Sequence, residues 1–387
     1  MPYTFSVYTS LSDMPADYSR IGLQNKPICR GIDTVEKAHV ENLQNYYVVT
    51  FENEELLCVS YFQLLSVKPV HFNLADKKIQ QAALSLALRL VKPTLLVAGN
   101  LFRHDVVFFQ FVNPTHSAEK QAEVFMATTN QLISYTNASG IFLKDVQNDI
   151  AKHIQQDNSY IQMQDDVSME MNIPADWSSF ADYEHALKHK YLQRCRKIRK
   201  SFDGIHITEF NEADINRYSK EIEQLYLQVT KKQMVSMGII NHSFFEELKR
   251  SLQGDYKVCG YFHGGKLVAF SSAILHNGEY DMNYIGFDYA YNHSHNLYFN
   301  ILFHCLENAM STGCHKLILG RTAPEAKAIM GCEADYRYSF YKLRNVIVNW
   351  FYQMVAAYFK EQQGDKWKDR HPFKSNYYTV SKLELEK

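Results

Sequence analysis

The sequence predicts an α/β fold in two domains, each a mixed, largely antiparallel sheet flanked by helices. Three observations predict it. In the second half, apolar β-rich runs are joined by glycine-containing turns, which are hairpin signals. Those runs give way to apolar residues at helical spacing and then to a short buried strand. The first half repeats that order, strand pair, further strands, long helix and short strand. A chain of 387 residues exceeds what one hydrophobic core usually supports, and 46% hydrophobic with 14% aromatic residues can fill two. The division falls into residues 1–165 and 175–387.

The second half is organised around residues 255–336. Residues 256–262 and 267–275 are apolar runs around the turn His263-Gly264-Gly265, and Asn277-Gly278 leads into a third strand, 280–287. From Leu297 through Ile301, Leu302, Cys305 and Leu306 to Met310 the spacing is helical, Gly313 ends that helix, and 316–319 reads as a buried strand. Ahead of this core lie a basic segment, 188–200, a strand at 205–210 and helices at 212–229 and 243–252. Behind it, 338–343 reads as the penultimate strand of the same domain, 346–359 as an aromatic helix and 376–383 as a closing extended segment. In the first half a helix is expected near 34–43, a strand pair at 46–51 and 56–67, and a helix at 80–91 ended by Pro93. Strands follow at 94–98 and 106–111, then a long helix from a Ser117 cap to Thr136 and a strand at 140–144. Residues 145–166 form a polar connector with a short helix. Two copies of one fold, diverged beyond residue identity, explain the echo; two unrelated α/β domains are the alternative.

Composition excludes several classes. A formal net charge of −1 leaves attraction to nucleic acid or a membrane surface to a local patch. The first residues lack a basic segment followed by an apolar core, which argues against export and for the cytoplasm. The apolar run 346–359 is shorter than the roughly 20 residues that cross a bilayer, so stable membrane insertion is not expected, and core packing is favoured over an interfacial role. Seven cysteines form no CxxC pair and sit mostly in apolar runs, as reduced thiols do. No H-E-x-x-H, Walker loop or G-x-S-x-G occurs, and no metal site is expected.

Two antiparallel strands, a third, a helix and a parallel return strand resemble the acyl-transfer core of the GNAT superfamily. The run YIGFD from Tyr284 to Asp288, the triplet Leu319-Gly320-Arg321, Lys327 with Gly331 beyond it, and the basic segment KHKYLQRCRKIRK at 188–200 resemble the BioF2-like and Fem-like acyltransferases. That resemblance implies two tandem GNAT-like domains, the active one second. It implies N-acyl transfer from an acyl-CoA or an aminoacyl-tRNA to an amine, on a small molecule or a cell-envelope precursor. The first half lacks counterparts of the Gly-Arg and Lys-Gly positions and is expected to support or bind substrate.

Such a site needs a deprotonated amine, a polarised carbonyl and close positioning of both. The carbonyl would take a backbone N–H from strand 280–287. Asp288 would orient or deprotonate the amine, or serve merely as a turn former. Tyr284 would donate to the carbonyl or leaving group, or merely pack, and Lys327 completes the catalytic candidates. Arg321, at the C-terminal end of a buried strand, Gly286, Tyr280 and Arg196 are the substrate-binding candidates. Residues 291–297 would present N–H groups to a donor phosphate, with His295, Asn296 and Leu297 as the cofactor-binding candidates. That loop, YNHSHNL, holds no glycine, unlike the pyrophosphate loops of acetyl-CoA enzymes; this leans towards the Fem-like donor or towards an unusual acyl donor. Five of the seven cations of 188–200 fall on two stripes, Arg196 with Arg199 and Lys190 with Arg194 and Lys197. They would form a phosphate-binding patch or a solvated, ion-paired face. Two other readings remain open, a non-catalytic RNA- or phosphate-binding module and a peripheral membrane protein.

Overall fold

A computed structural model describes residues 3–19, 30–74, 77–103, 108–157, 159–163, 167–345, 368 and 370–375. The elements expected at 346–359 and 376–383 lie outside them. The chain forms two compact units. The first holds Met1–Asp166, Lys231–Leu252 and Arg337–Gly364; the second holds Val167–Thr230, Gln253–Tyr336 and Asp365–Lys387. The division expected at 165–175 is therefore not a single cut, because two later segments return to the first unit.

In the first unit the strands are β1 (Tyr3–Tyr8), β2 (Leu43–Glu52), β3 (Glu55–Ser66), β4 (Thr94–Ala98), β5 (Phe109–Phe111), β6 (Gly140–Val146) and β7 (Ile161–Gln162). Its early helices are α1 (Ala16–Ser19), α2 (Thr34–Lys37), α3 (Lys78–Val91), α4 (Ala118–Thr136) and α5 (Asn148–Ile154). In the second unit follow β8 (Val167–Asn172), α6 (Phe180–Ala186), α7 (His189–Lys200), β9 (Ile205–Glu209), α8 (Glu212–Arg217) and α9 (Ser219–Thr230). Helix α10 (His242–Leu252) belongs to the first unit. The second resumes with β10 (Tyr256–His263), β11 (Lys266–His276), β12 (Glu279–Phe287), α11 (Tyr289–His295), α12 (Leu297–Ser311), β13 (Lys316–Gly320), α13 (Pro324–Met330) and β14 (Glu333–Tyr336). Finally β15 (Tyr338–Leu343) returns to the first.

Both units share one core order. In the first, β1 to β4 are antiparallel neighbours and β4 pairs in parallel with β6 after the α4 crossover. In the second, β9 to β12 are antiparallel neighbours and β12 pairs in parallel with β13 after α12. Local chemistry fixes the turns: Gly264 and Gly265 take φ of +55° and +80°, and Asn277 and Gly278 +48° and +74°. Tight hairpins whose twist matches the strands require such angles. Helix α4 starts where expected, its Ser117 hydroxyl accepting the Lys120 N–H at 3.3 Å. Helix α2 is shorter than expected, because His39 and Asn42 take positive φ and turn the chain into β2.

Two expectations about membership are corrected. Residues 338–343 do not close the second sheet; β15 pairs with β6 and β7, and Phe340 is buried with Phe125, Ile141 and Leu143 of the first core. Helix α10 likewise belongs to the first unit, where Asn241 at its start donates to the Ala38 carbonyl at 2.8 Å. The place beside β13 is taken instead by β8, giving the order β14-β8-β13-β12-β11-β10-β9.

Candidate active site

In the second unit β12 and β13 pair at only three positions, Glu279↔Lys316, Tyr280↔Leu317 and Asp281↔Ile318, and then part. Both strands bend where they separate. On β12, Asn283 is an extra residue between the pairs Ala273↔Met282 and Ser272↔Tyr284, a bulge that redirects a strand. There the Ser272 hydroxyl accepts the Tyr284 N–H at 3.1 Å. On β13 the register against β8 shifts between Ile318 and Gly320, and Gly320 ends the strand with φ +73°. The result is a fork whose arms are 282–287 and 319–321.

The fork is lined by backbone. Asp288 N–H donates to the Val268 carbonyl of β11 at 2.9 Å. Alternation along an antiparallel ladder then turns the Phe287 and Ile285 N–H groups to the opposite edge, towards the side that β13 has left. Two donors thus face an opening where a carbonyl oxygen can sit.

The expected residues divide between this fork and other places. Tyr284 and Gly286 lie on the β12 arm. The Tyr284 ring meets Tyr226 edge-on at 5.7 Å, and at Gly286 an added Cβ would lie 2.6 Å from the backbone of Leu225 and Tyr226. The glycine lets α9 close on the strand. Arg321 follows the end of β13. Lys327 is wholly buried on α13, its Nζ donating to the Gly320 carbonyl at 3.1 Å. Burial lowers its pKa to about 7, against an opposing contribution from Cys332. The ammonium steadies the end of β13 rather than facing the opening.

Asp288 caps α11, accepting the Ala290 N–H at 3.0 Å, and pairs with Lys266 at 3.1 Å. It also lines a cavity of about 250 Å³ with Tyr218, Glu221, Gln224, Gln228 and Lys266. Tyr280 falls in the paired stretch of β12, away from the fork. It is buried, its hydroxyl accepts from Asn308 at 3.4 Å, and burial holds it well above its ordinary pKa, so it takes the place of a core residue. Arg196 is exposed and pairs with Glu184 at 3.4 Å, while Arg199 meets Glu307 at 2.8 Å and stacks 4.0 Å from the Phe180 ring. That stripe of α7 is the ion-paired face. The other stripe is exposed, and its Arg194 lies 5.4 Å from the Phe299 ring in the first turn of α12.

The phosphate loop expected at 291–297 is instead mostly helix α11. His295 bonds Ser294 at 2.7 Å, and Leu297 is a core residue. Asn296 (φ +46°) reaches the Ser201 hydroxyl at 2.9 Å, joining the start of α12 to the end of α7. The Asn292 side-chain oxygen Oδ1 accepts the Tyr298 N–H at 2.9 Å. Part of the N-terminal donor set of α12 is therefore already satisfied by a side chain.

Sequence reasoning missed Tyr298. Its ring lies 6.0 Å from that of Phe287, and its hydroxyl is buried with no hydrogen-bond partner among the described residues. Burial raises its pKa, and the thiols of Cys332 and Cys305 add to that. Among 26 tyrosines the signal exists only in the folded state. Among the described residues no group of three or more His, Cys, Asp or Glu could hold a metal ion, and no helix is long and apolar enough to cross a membrane.

Residues 189–338 match the family described as acetyltransferase (GNAT) domain. No curated protein matches the chain. Among solved structures, the crystal structure of FemX superposes with a TM-score of 0.51 at 9% identity, covering 90% of this chain and 99% of that one. A tandem GNAT protein from the clavulanic acid biosynthesis pathway gives a TM-score of 0.50 at 9% identity, covering 88% and 97%. At such identities the likeness is one of fold, and it spans both units.

Proposed function

We propose that the second unit, which carries most of the match to the acetyltransferase (GNAT) domain family, works as an acyltransferase within a Fem-like tandem fold and transfers an acyl or aminoacyl group from a thioester or ester donor to an amine. The observation that carries the reading is the fork itself: β12 and β13 part after three pairs, and the Ile285 and Phe287 N–H groups face the gap. A donor carbonyl held there is polarised before the amine attacks. The new N–C bond forms, the C–S or C–O bond breaks, the amine loses a proton and the leaving group takes one. Tyr298, held protonated by its raised pKa and with no hydrogen-bond partner among the described residues, is suited to deliver that proton.

The start of α12 supports a particular kind of donor. A nucleotide thioester needs backbone N–H groups close to its pyrophosphate, yet this segment has no glycine and spends the Tyr298 N–H on Asn292. Beside it stand the exposed cations Lys190, Arg194 and Lys197 of α7. Side-chain cations suit a flexible polyphosphate, so the donor we favour is an aminoacyl-tRNA, which would put the reaction in the cytoplasm. On the acceptor side, Glu221 and Asp288 of the cavity beyond β12 offer carboxylates to an ammonium group. On the Fem-like resemblance that amine belongs to a cell-envelope precursor. Purified protein incubated with acyl-CoAs and with charged tRNAs, an amine acceptor being present, tests the reading. Transfer that falls in the Arg321→Ala and Lys327→Met variants is expected; no transfer from any donor, or wild-type rates in both variants, rejects it.

A further inference from the structure

Helix α3 carries an uncovered apolar face. None of its 14 residues is buried, although a helix that is apolar on opposite sides normally lies in a core. Leu84 and Leu88 are half-buried on one side. On the other, Ile79, Ala82, Ala83, Leu86, Ala87 and Leu90 recur at i, i+3, i+4, i+7, i+8 and i+11, and all of them are exposed. Ile79 is 87% exposed, Leu86 60%, Leu90 74%, and Val91 at the end of the helix 69%. The patch extends past the helix. Val70, ahead of α3, is exposed, Phe72 bridges to Val235, and the Asn73 N–H donates to the Met234 carbonyl at 2.9 Å, which ties the exposed Met234 and Val235 to the same segment. Single apolar residues on a surface need no explanation, but a gathered patch marks a surface that something covers.

Charge points to what covers it. From Lys77 to Lys92 the sequence holds four cations and no acid, and Asp76 just before is offset by Lys68. Lys78 and Arg89, at i and i+11, and Lys92, three residues further, share one edge of the stripe. These three are exposed and take part in no ion pair among the described residues. A second copy of α3 laid on the stripe would bring only like charges to that edge. An anionic lipid surface brings opposite ones: the apolar stripe enters the boundary between headgroups and acyl chains while the cations at its edge meet phosphates.

We propose that α3 docks the protein on an anionic membrane, lying in the plane of the surface without crossing it. The docking face shares no residue with the β12/β13 fork, so the two readings stand or fall separately. Flotation of the full chain with vesicles tests it, comparing phosphatidylcholine alone with phosphatidylcholine holding about one-third phosphatidylglycerol. The wild type is expected to float with the anionic vesicles and to bind the neutral ones at least tenfold more weakly. Lys78→Gln, Arg89→Gln and Lys92→Gln should each weaken binding about fivefold. Leu86→Glu combined with Leu90→Glu should abolish it and leave Tm unchanged, since both positions are exposed. No flotation of the wild type, equal binding to neutral vesicles, or flotation that survives every one of these changes overturns the proposal. So does a wild-type dimer, seen by light scattering, that the two glutamates split, which assigns the stripe to a second copy. A Tm lowered by the glutamates in a chain that does not float overturns it as well, assigning the stripe to another segment of the chain. The wild-type comparison of the two vesicles decides the matter even if a variant folds poorly.

Discussion

The ammonium of Lys327 lies 3.1 Å from the carbonyl oxygen of Gly320, the last residue of β13. That one bond anchors the shorter arm of the fork, and it is made by a lysine with no exposure to water. Burial carries its pKa from 10.5 down to about 7. Between those values the unfolded chain holds a proton that the folded chain has released. Stability should therefore rise as pH climbs from about 7 towards 10.5, and the penalty of a buried charge should be fully felt below 7. Comparing Tm of the wild type with that of Lys327→Met across this range checks it. The wild type should gain on the variant with rising pH; a constant difference would mean that the lysine titrates normally.

Gly286 predicts a steric result. The backbone of α9 passes so close that an added methyl would sit 2.6 Å from two main-chain atoms, which a rotamer change cannot relieve. Gly286→Ala should cost about 1–3 kcal/mol by overpacking, read from urea midpoints. It should also lower transfer activity, because α9 and the β12 arm must separate. An alanine variant as stable as the wild type would show that α9 yields freely.

The second unit was largely legible because its signals are local. Gly264-Gly265 and Asn277-Gly278 demanded tight turns and made them, and the spacing from Leu297 to Met310 became α12 with nine buried residues. Sheet membership was not legible. Residues 338–343 alternate well enough to serve either sheet, and only pairing with β6 decides it. The stretch 167–172 hides a central strand because Glu170 breaks its apolar run, a charge made tolerable by Lys316 across the ladder. The fork could be anticipated from strand order, but the placing of Tyr280 in its closed part could not, since that depends on where pairing stops. Tyr298 was invisible for a further reason: what singles it out is a hydroxyl with no hydrogen-bond partner among the described residues.

The two stripes of α7 should behave differently. Arg196 is already paired with Glu184, so Arg196→Ala should leave donor KM nearly unchanged. Arg194→Ala and Lys197→Ala act on the exposed stripe beside α12 and should each raise KM for a charged tRNA, lowering the salt dependence of its binding by about one in logarithmic slope. Initial rates at several salt concentrations separate the cases. Equal effects from all three changes would count against a donor lying along that stripe.

Tyr298 offers the sharpest separation of chemistry from structure. Removing a hydroxyl that holds a protein partner normally destabilises, which confuses any loss of activity. Here the hydroxyl is buried without such a partner among the described residues, so Tyr298→Phe should leave Tm unchanged or raise it slightly. If the hydroxyl protonates the leaving group, kcat should nonetheless fall by about a hundredfold or more, the usual contribution of a positioned acid. The loss should be smaller with donors whose leaving groups are better, since these need less help from a proton. A variant with wild-type kcat on every donor would return Tyr298 to the core and leave the leaving group to water.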